Sequence, residues 1–117
     1  MTTAELAKEI TNLLKQGKDE AVAQKYNADD IVSYEAADGP MAFCEGKAAV
    51  KQKGEWFVAN HEVHGTTVEG PFVNGDQFAV RFKYDLTPKA TGKRVTMDEV
   101  GVYTVKDGKV VEERFYY

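Results

Sequence analysis

Gln77-Phe78-Ala79-Val80-Arg81-Phe82-Lys83-Tyr84-Asp85-Leu86 puts a large apolar or aromatic side chain at every second position, with polar or small ones between them. Successive side chains of an extended chain point to opposite faces, so this stretch is predicted to be a strand with one packed face and one wetted face. The pattern continues on both sides. Val63 to Val73 precedes it and ends at the hairpin turn Asn74-Gly75-Asp76. A looser turn, Thr87 to Lys93, leads into Val95 to Val105. Lys106-Asp107-Gly108 closes a further hairpin, and Val110 to Tyr117 is the last strand.

Towards the N-terminus the period changes from two to that of a helix. Leu6, Ile10, Leu13 and Leu14 form an apolar stripe, which predicts a first helix over about Ala4 to Gln16 that Gly17 ends. Asp19 is the expected N-cap of a shorter second helix carrying Ala21, Val22 and Tyr26, broken at Asn27. Ile31-Val32-Ser33-Tyr34-Glu35 is β-branched and aromatic and reads as a strand. Asp38-Gly39-Pro40 turns, and Met41 to Cys44 forms a short extended piece. A third helix starts at Lys47, weakens around Gly54 and finishes before His61. Three helices followed by four consecutive antiparallel strands give an α+β fold in which helices cover the concave face of a curved sheet. No linker or internal repeat divides the chain, so residues 1–117 are read as a single domain.

Composition narrows the function classes. Fifteen basic against nineteen acidic residues leave a formal charge of −4, and no Lys/Arg cluster offsets it, so no nucleic-acid partner is expected. No uncharged stretch approaches the ~20 apolar residues of a membrane span. The N-terminal Met-Thr-Thr-Ala-Glu-Leu has no basic segment followed by an apolar one, and the one cysteine, Cys44, has no internal partner. The resulting expectation is a cytoplasmic protein without a secretory signal, in which Cys44 is a small buried hydrophobe.

Gly17 to Val32, with Asp19-Glu20-Ala21 and Tyr26-Asn27-Ala28-Asp29-Asp30-Ile31-Val32, resembles the second helix and first strand of the SnoaL-like, ketosteroid-isomerase-like branch of the nuclear transport factor 2-like superfamily. Glu45-Gly46-Lys47, Gly70-Pro71-Phe72 and the closing Tyr103-Thr104-Val105-Lys106-Asp107-Gly108-Lys109-Val110 resemble it as well, so the likeness covers essentially the whole chain. The resemblance implies a cone-shaped α+β barrel, with three N-terminal helices packed on a strongly bent, mostly antiparallel sheet and an apolar pocket at the wide end. It further implies a homodimer formed through the sheet. The superfamily includes isomerases, dehydratases, cyclases, hydrolases and non-catalytic binding domains, so the chemistry has to be argued from the pocket.

Alternation then assigns faces. With Phe78, Val80, Phe82 and Tyr84 inward, the next strand points Val95, Met97, Glu99, Gly101, Tyr103 and Val105 inward, and the last strand Val111, Glu113, Phe115 and Tyr117. His64, Thr66 and Val68 join them from the strand after helix three, and Ile31, Ser33 and Glu35 from the first strand. Glu35, Glu99, Glu113 and His64 thus fall among apolar residues, where a carboxyl needs a partner or a raised pKa. Glu35, His64 and Glu99 are the candidate catalytic residues, and Trp56, Tyr103, Glu113 and Tyr117 the candidate ligand-binding ones. By resemblance Glu35 falls at the proton-shuttling aspartate of ketosteroid isomerases. Their helix-one tyrosine corresponds to Ile10 and their protonated aspartate to Gly101, so the oxyanion donors of steroid isomerisation are missing. The other readings place Glu35 at a rim, solvated or paired with Arg81 or Lys83, and make His64 a pocket histidine bonded to Glu99 or Tyr103. Glu99 and Glu113 either share a proton or, after a one-residue slip, become surface charge. His61 and His64 face opposite sides of a strand and have no further histidine to complete a metal site, so neither a metal nor a cofactor is expected. The expected function is an apolar pocket for a small hydrophobic molecule, with cofactor-free acid/base chemistry of isomerase, cyclase or hydrolase type. The alternative is a non-catalytic ligand-binding or dimerisation module.

Overall fold

The computed structural model describes residues 1–117. Its elements are α1 (Thr3–Lys15), α2 (Asp19–Tyr26), β1 (Asn27–Tyr34), β2 (Phe43–Glu45), α3 (Lys47–Asn60), β3 (His61–Asn74), β4 (Gln77–Pro88), β5 (Val95–Lys106) and β6 (Lys109–Tyr116). The α+β architecture read from the sequence is the one observed. All six strands belong to one sheet in the order β2-β1-β6-β5-β4-β3, and the β1–β6 pair alone is parallel. The last strand therefore lies beside the first, between the N-terminal half and the β3–β5 meander. No helix is long and apolar enough to cross a membrane.

The core forms where α1 meets the sheet. Leu6, Ala7, Ile10 and Leu14 recur at helical spacing and are buried against Phe78, Val80 and Phe82 of β4, Ile31 of β1 and Val110 of β6. Both ends of α1 are closed by their own residues. Thr2 and Glu5 exchange side-chain to backbone hydrogen bonds in a capping box. At the other end Gly17, at φ +73°, lets its own N–H and that of Lys18 reach the carbonyls of Leu14 and Leu13. This closure takes Lys18 directly into α2, so Lys18 holds the N-cap position and Asp19, the residue expected there, is the first helical residue. Lys47 and Lys109 donate to the Gln24 and Lys25 carbonyls at the end of α2, placing positive charge where the helix dipole is negative.

Turn chemistry sets the strand order and bulges set the facing. Asp107 and Gly108 both have positive φ, as a two-residue hairpin twisted to match its strands requires. Two bulges overturn single-residue expectations. Tyr103 pairs with Glu113 but Val105 pairs with Val110, so an irregularity in between turns Val110 into the core in place of Val111. In β3 the register slips between Val63 and Gly65, and His64, at the bulge, leaves the inward set. Thr66 and Val68 oppose Tyr84 and Phe82 and stay on the inner side.

Because Ile10 is completely buried between α1 and the sheet, Ile10→Ala is expected to cost about 3 kcal/mol of unfolding free energy. Val58→Ser, on the exposed side of α3, is expected to change it by less than about 0.5 kcal/mol. Urea denaturation of the two variants checks both values.

Candidate active site on the inner sheet face

Polar groups collect at one end of the otherwise apolar inner face. Cross-strand pairing sets Tyr84 beside Met97, Phe82 beside Glu99, Val80 beside Gly101 and Phe78 beside Tyr103. It continues through Tyr103 to Glu113 on β6, and from Glu113 to Ser33 on β1. Glu99, Glu113, Ser33 and, one pleat beyond Ser33, Glu35 thus share a face with the aromatic side chains of Tyr84 and Tyr103.

A residue from helix three organises two of these carboxyls. Lys53 Nζ, on a side chain only 12% exposed, donates to Glu35 Oε2 at 2.7 Å and to Ser33 Oγ at 2.6 Å. Ser33 is fully buried and donates onward to Glu113 Oε1 at 2.8 Å. The ammonium also lies 5.0 Å from the centre of the Phe115 ring. Glu35 is therefore paired, but with Lys53 rather than with Arg81 or Lys83. Arg81 instead forks onto Asp98 at 3.0 and 2.6 Å on the outer face, where Glu69 flanks it and Lys83. The second Glu35 oxygen faces the Tyr117 hydroxyl at 3.4 Å, at the edge of the site where Tyr117 is half exposed.

Glu99 differs from both partners. Its carboxyl makes no hydrogen bond within the protein, and burial, reinforced by the negative charge of Glu35, pushes it from 4.5 up to about 7, with Lys53 acting in the opposite sense. Burial also raises Glu113, against the downward pull of Ser33 and Lys53. The Tyr84 and Tyr103 phenols are raised above their usual range by burial and then by nearby carboxylates, Glu99 foremost for Tyr84 and Glu113 for Tyr103, so both remain hydroxyl donors. Neither hydroxyl has an internal partner, yet no polar side-chain atom is both fully enclosed and unpartnered. The two phenol hydroxyls and the Glu99 carboxyl therefore each keep some exposed area, although Tyr103 as a whole is buried.

Gly101 makes room for one of them. A Cβ at this position would stand 3.0 Å from the Tyr103 hydroxyl and 3.0 Å from Phe115 Cε1, so the phenol leans back over the backbone where any larger residue would project.

Other predicted residues lie elsewhere. His64 is exposed and shares a 2.8 Å hydrogen bond with Thr87 Oγ1 on the outer side of the sheet, away from Glu99 and Tyr103, because the β3 bulge rotates it. Trp56 is 47% exposed and its ring stands edge-on to that of His61 at 6.0 Å. Its neighbour Phe57 turns inward instead, stacking on His61 at 4.3 Å and tilting against Tyr84 at 5.7 Å. Local sequence pattern assigns no role to Lys53 or to the Tyr84 hydroxyl. A signal for Lys53 exists: Val50, Lys53 and Phe57 follow helical spacing, so a lysine interrupts the packed stripe of α3. A shallow depression of about 370 Å³ lies over the outer-face residues Thr67, Lys83, Asp85 and Thr96, with Gly65, Thr66 and Tyr84 completing its lining. Another, of about 420 Å³, lies between α2 and α3.

The chain matches the SnoaL-like domain over residues 1–117. It belongs to the SnoaL-like family. A Mesorhizobium loti protein named as a candidate SnoaL-like polyketide cyclase, with carbohydrate phosphatase added in brackets, is 69% identical over the full length of both chains, with a TM-score of 0.98. Two more distant structures show the fold alone. A candidate SnoaL-like polyketide cyclase from Jannaschia sp. CCS1 is 18% identical over 96% of this chain and 85% of that one, with a TM-score of 0.77. A protein with a ketosteroid-isomerase-like fold from Catenulispora acidiphila, in complex with trimethylamine, is 18% identical over 99% and 87%, with a TM-score of 0.75. No curated protein matches this SnoaL-like chain.

The raised Glu99 carboxyl has a consequence for stability. A group that binds its proton more tightly when folded stabilises the fold fully below its unfolded pKa of 4.5, and that stabilisation is lost as pH rises through about 7. Glu99→Gln is therefore expected to be more stable than the parent by about 1–2 kcal/mol at pH 8 and nearly equal to it at pH 4. Denaturation curves across this range check the sign; parallel curves for the two proteins would contradict it.

Proposed function

We propose that this SnoaL-like domain binds a small, largely apolar molecule bearing a carbonyl-type oxygen and moves a proton on it without a cofactor. The observation that carries this reading is that Glu99, Tyr84 and Tyr103, whose side-chain polar groups have no hydrogen-bond partner inside the protein, share one sheet face with Glu35 and Glu113, whose carboxyls do. In this reading the Tyr84 and Tyr103 hydroxyls hydrogen-bond the carbonyl oxygen. The ionised Glu99 accepts a proton from the adjacent carbon, the electron pair moves onto the oxygen as an enolate, and protonated Glu99 returns the proton at the same or a conjugated carbon. A carboxyl titrating near 7 is matched to taking and returning a proton near neutral pH. The tyrosine donors stand in for those that Ile10 and Gly101 do not supply. Glu35 and Tyr117 line the edge of the ligand space, while His64 and Trp56 have no part in it.

A second reading has its own support. Phe78 stacks on Tyr103 at 5.0 Å and Phe82 on Tyr84 at 5.9 Å, with Phe57 and Phe115 against the same two tyrosines, so aromatic rings fill much of the inner face. That packing suits a binding module without turnover. Under either reading the outer sheet face serves as the homodimer surface. Phe43, Tyr34, Arg114, Val102, Ala79 and Phe72 lie in one cross-strand row spanning all six strands, and Phe72 at its end is 63% exposed. Arg114 lies 4.0 Å over the Tyr34 ring, keeping its charge within an otherwise apolar row.

Exchange of the α-protons of 2-tetralone in D2O, followed by NMR, tests the chemistry. The expected rate rises with pH through about 7 and falls about 100-fold in Glu99→Gln. Equal rates in parent and variant would contradict the catalytic reading, and binding of 2-naphthol without any exchange would favour the binding module. For the dimer, Val102→Glu is expected to shift the sedimentation coefficient from that of a dimer to that of a monomer. A parent that already sediments as a monomer would contradict the assignment.

A further inference from the structure

The inner face contains a cation that neither the expected chemistry nor the family match assigns a role. Lys53 touches two polar partners at once, and both belong to other elements. One contact holds the Glu35 carboxylate of the β1 end directly. The other runs through the fully buried Ser33, whose single hydroxyl accepts from Lys53 and spends its proton on Glu113. Because Ser33 has only one proton to donate, accepting from the ammonium orients that proton towards Glu113. Two of the three inward carboxyls are therefore fixed by one side chain, and Glu99 receives no contact from the network.

We propose that Lys53 is a positioning residue, which anchors Glu35 directly and Glu113 through Ser33 and so leaves Glu99 as the one inward carboxyl free to exchange a proton with a ligand. This deepens the proton-transfer reading and rests on it for its functional meaning. The charged and titratable groups electrostatically linked to Glu99 are Glu35 just beyond β1, Lys53 from α3, Glu113 from β6, Tyr117 just beyond β6, and Tyr84 and Tyr103 from β4 and β5. Asp19 of α2 acts on the same two tyrosines, Tyr84 and Tyr103. Lys53 is the only cation in this set. Without it, Glu35 and Glu113 repel the charge on Glu99 uncompensated, and proton release from Glu99 requires a higher pH.

The test is titration of glutamate side-chain 13C carboxyl resonances in ligand-free protein, for the parent, Lys53→Met and Lys53→Arg. The expected result is an upward move of the Glu99 midpoint by about one pH unit in K53M, with most of that move reversed in K53R. Folded K53M in which Glu99 titrates as in the parent would overturn the proposal. If K53M does not fold, Ser33→Ala decides the question: the Glu113 midpoint is expected to rise because its hydrogen-bond donor is lost, and an unmoved Glu113 would overturn the bridge. Titration needs no substrate, so the two readings fail separately. A moved midpoint with no 2-tetralone exchange removes the catalytic reading and keeps the role of Lys53; an unmoved midpoint with rapid exchange does the reverse.

Discussion

Lys53 reaches from α3 into a face that holds Glu35, Glu99 and Glu113, and its ammonium is the counter-charge that makes this face tolerable. Partly buried carboxylates are expensive, because removing an ion from water costs several kcal/mol that only a close opposite charge or well-placed hydrogen bonds recover. One ammonium cannot serve three carboxyls equally. It contacts Glu35 at 2.7 Å, reaches Glu113 only through the Ser33 hydroxyl, and leaves Glu99 to remain neutral up to a higher pH. The unequal distribution of one charge produces three carboxyls of one residue type with different chemistry. Acid and base roles arise from this kind of environmental separation, which requires no change of side chain.

The rest of the fold holds this arrangement in place. The parallel β1–β6 pairing brings Ser33 beside Glu113, and the β5–β6 hairpin brings Glu113 beside Tyr103, so one cross-strand row carries the network from β1 to β4. α1 buries its stripe against the middle of the same sheet, and α3 lays Val50, Lys53 and Phe57 along the polar end. The absence of a side chain at Gly101 lets the Tyr103 ring lean back. Sequence determines the site through pairing register more than through any local motif.

That dependence explains what could and could not be read in advance. The β4 alternation, both tight hairpin turns, the extent of α3 and the inward facing of Ser33, Glu35, Glu99, Tyr103 and Glu113 follow from local pattern, since a two-residue period on a half-buried strand admits few alternatives. His64 and Val111 escaped the same logic because a bulge inserts one residue, and nothing in the local residue types announces it. The early start of β1 was hidden because Asn27-Ala28-Asp29-Asp30 contains residues that avoid strands. Asn27 is extended through its pairing with Val110 across the sheet. Lys53 is illegible in the local pattern for a different reason. A lysine in a helix usually faces water, and only its spacing from Val50 and Phe57 places it on the packed side. Trp56 and Phe57 are adjacent, so a small rotation of α3 decides which ring meets Tyr84.

Glu99 remains apart from the Lys53 network, and the most direct measurement of that separation is the titration midpoint of Glu99 in the unmodified protein, read from its side-chain carboxyl resonance. A midpoint near 7 is the predicted result, whereas one at the ordinary value of 4.5 would show that Glu99 is solvated or paired and would contradict that separation.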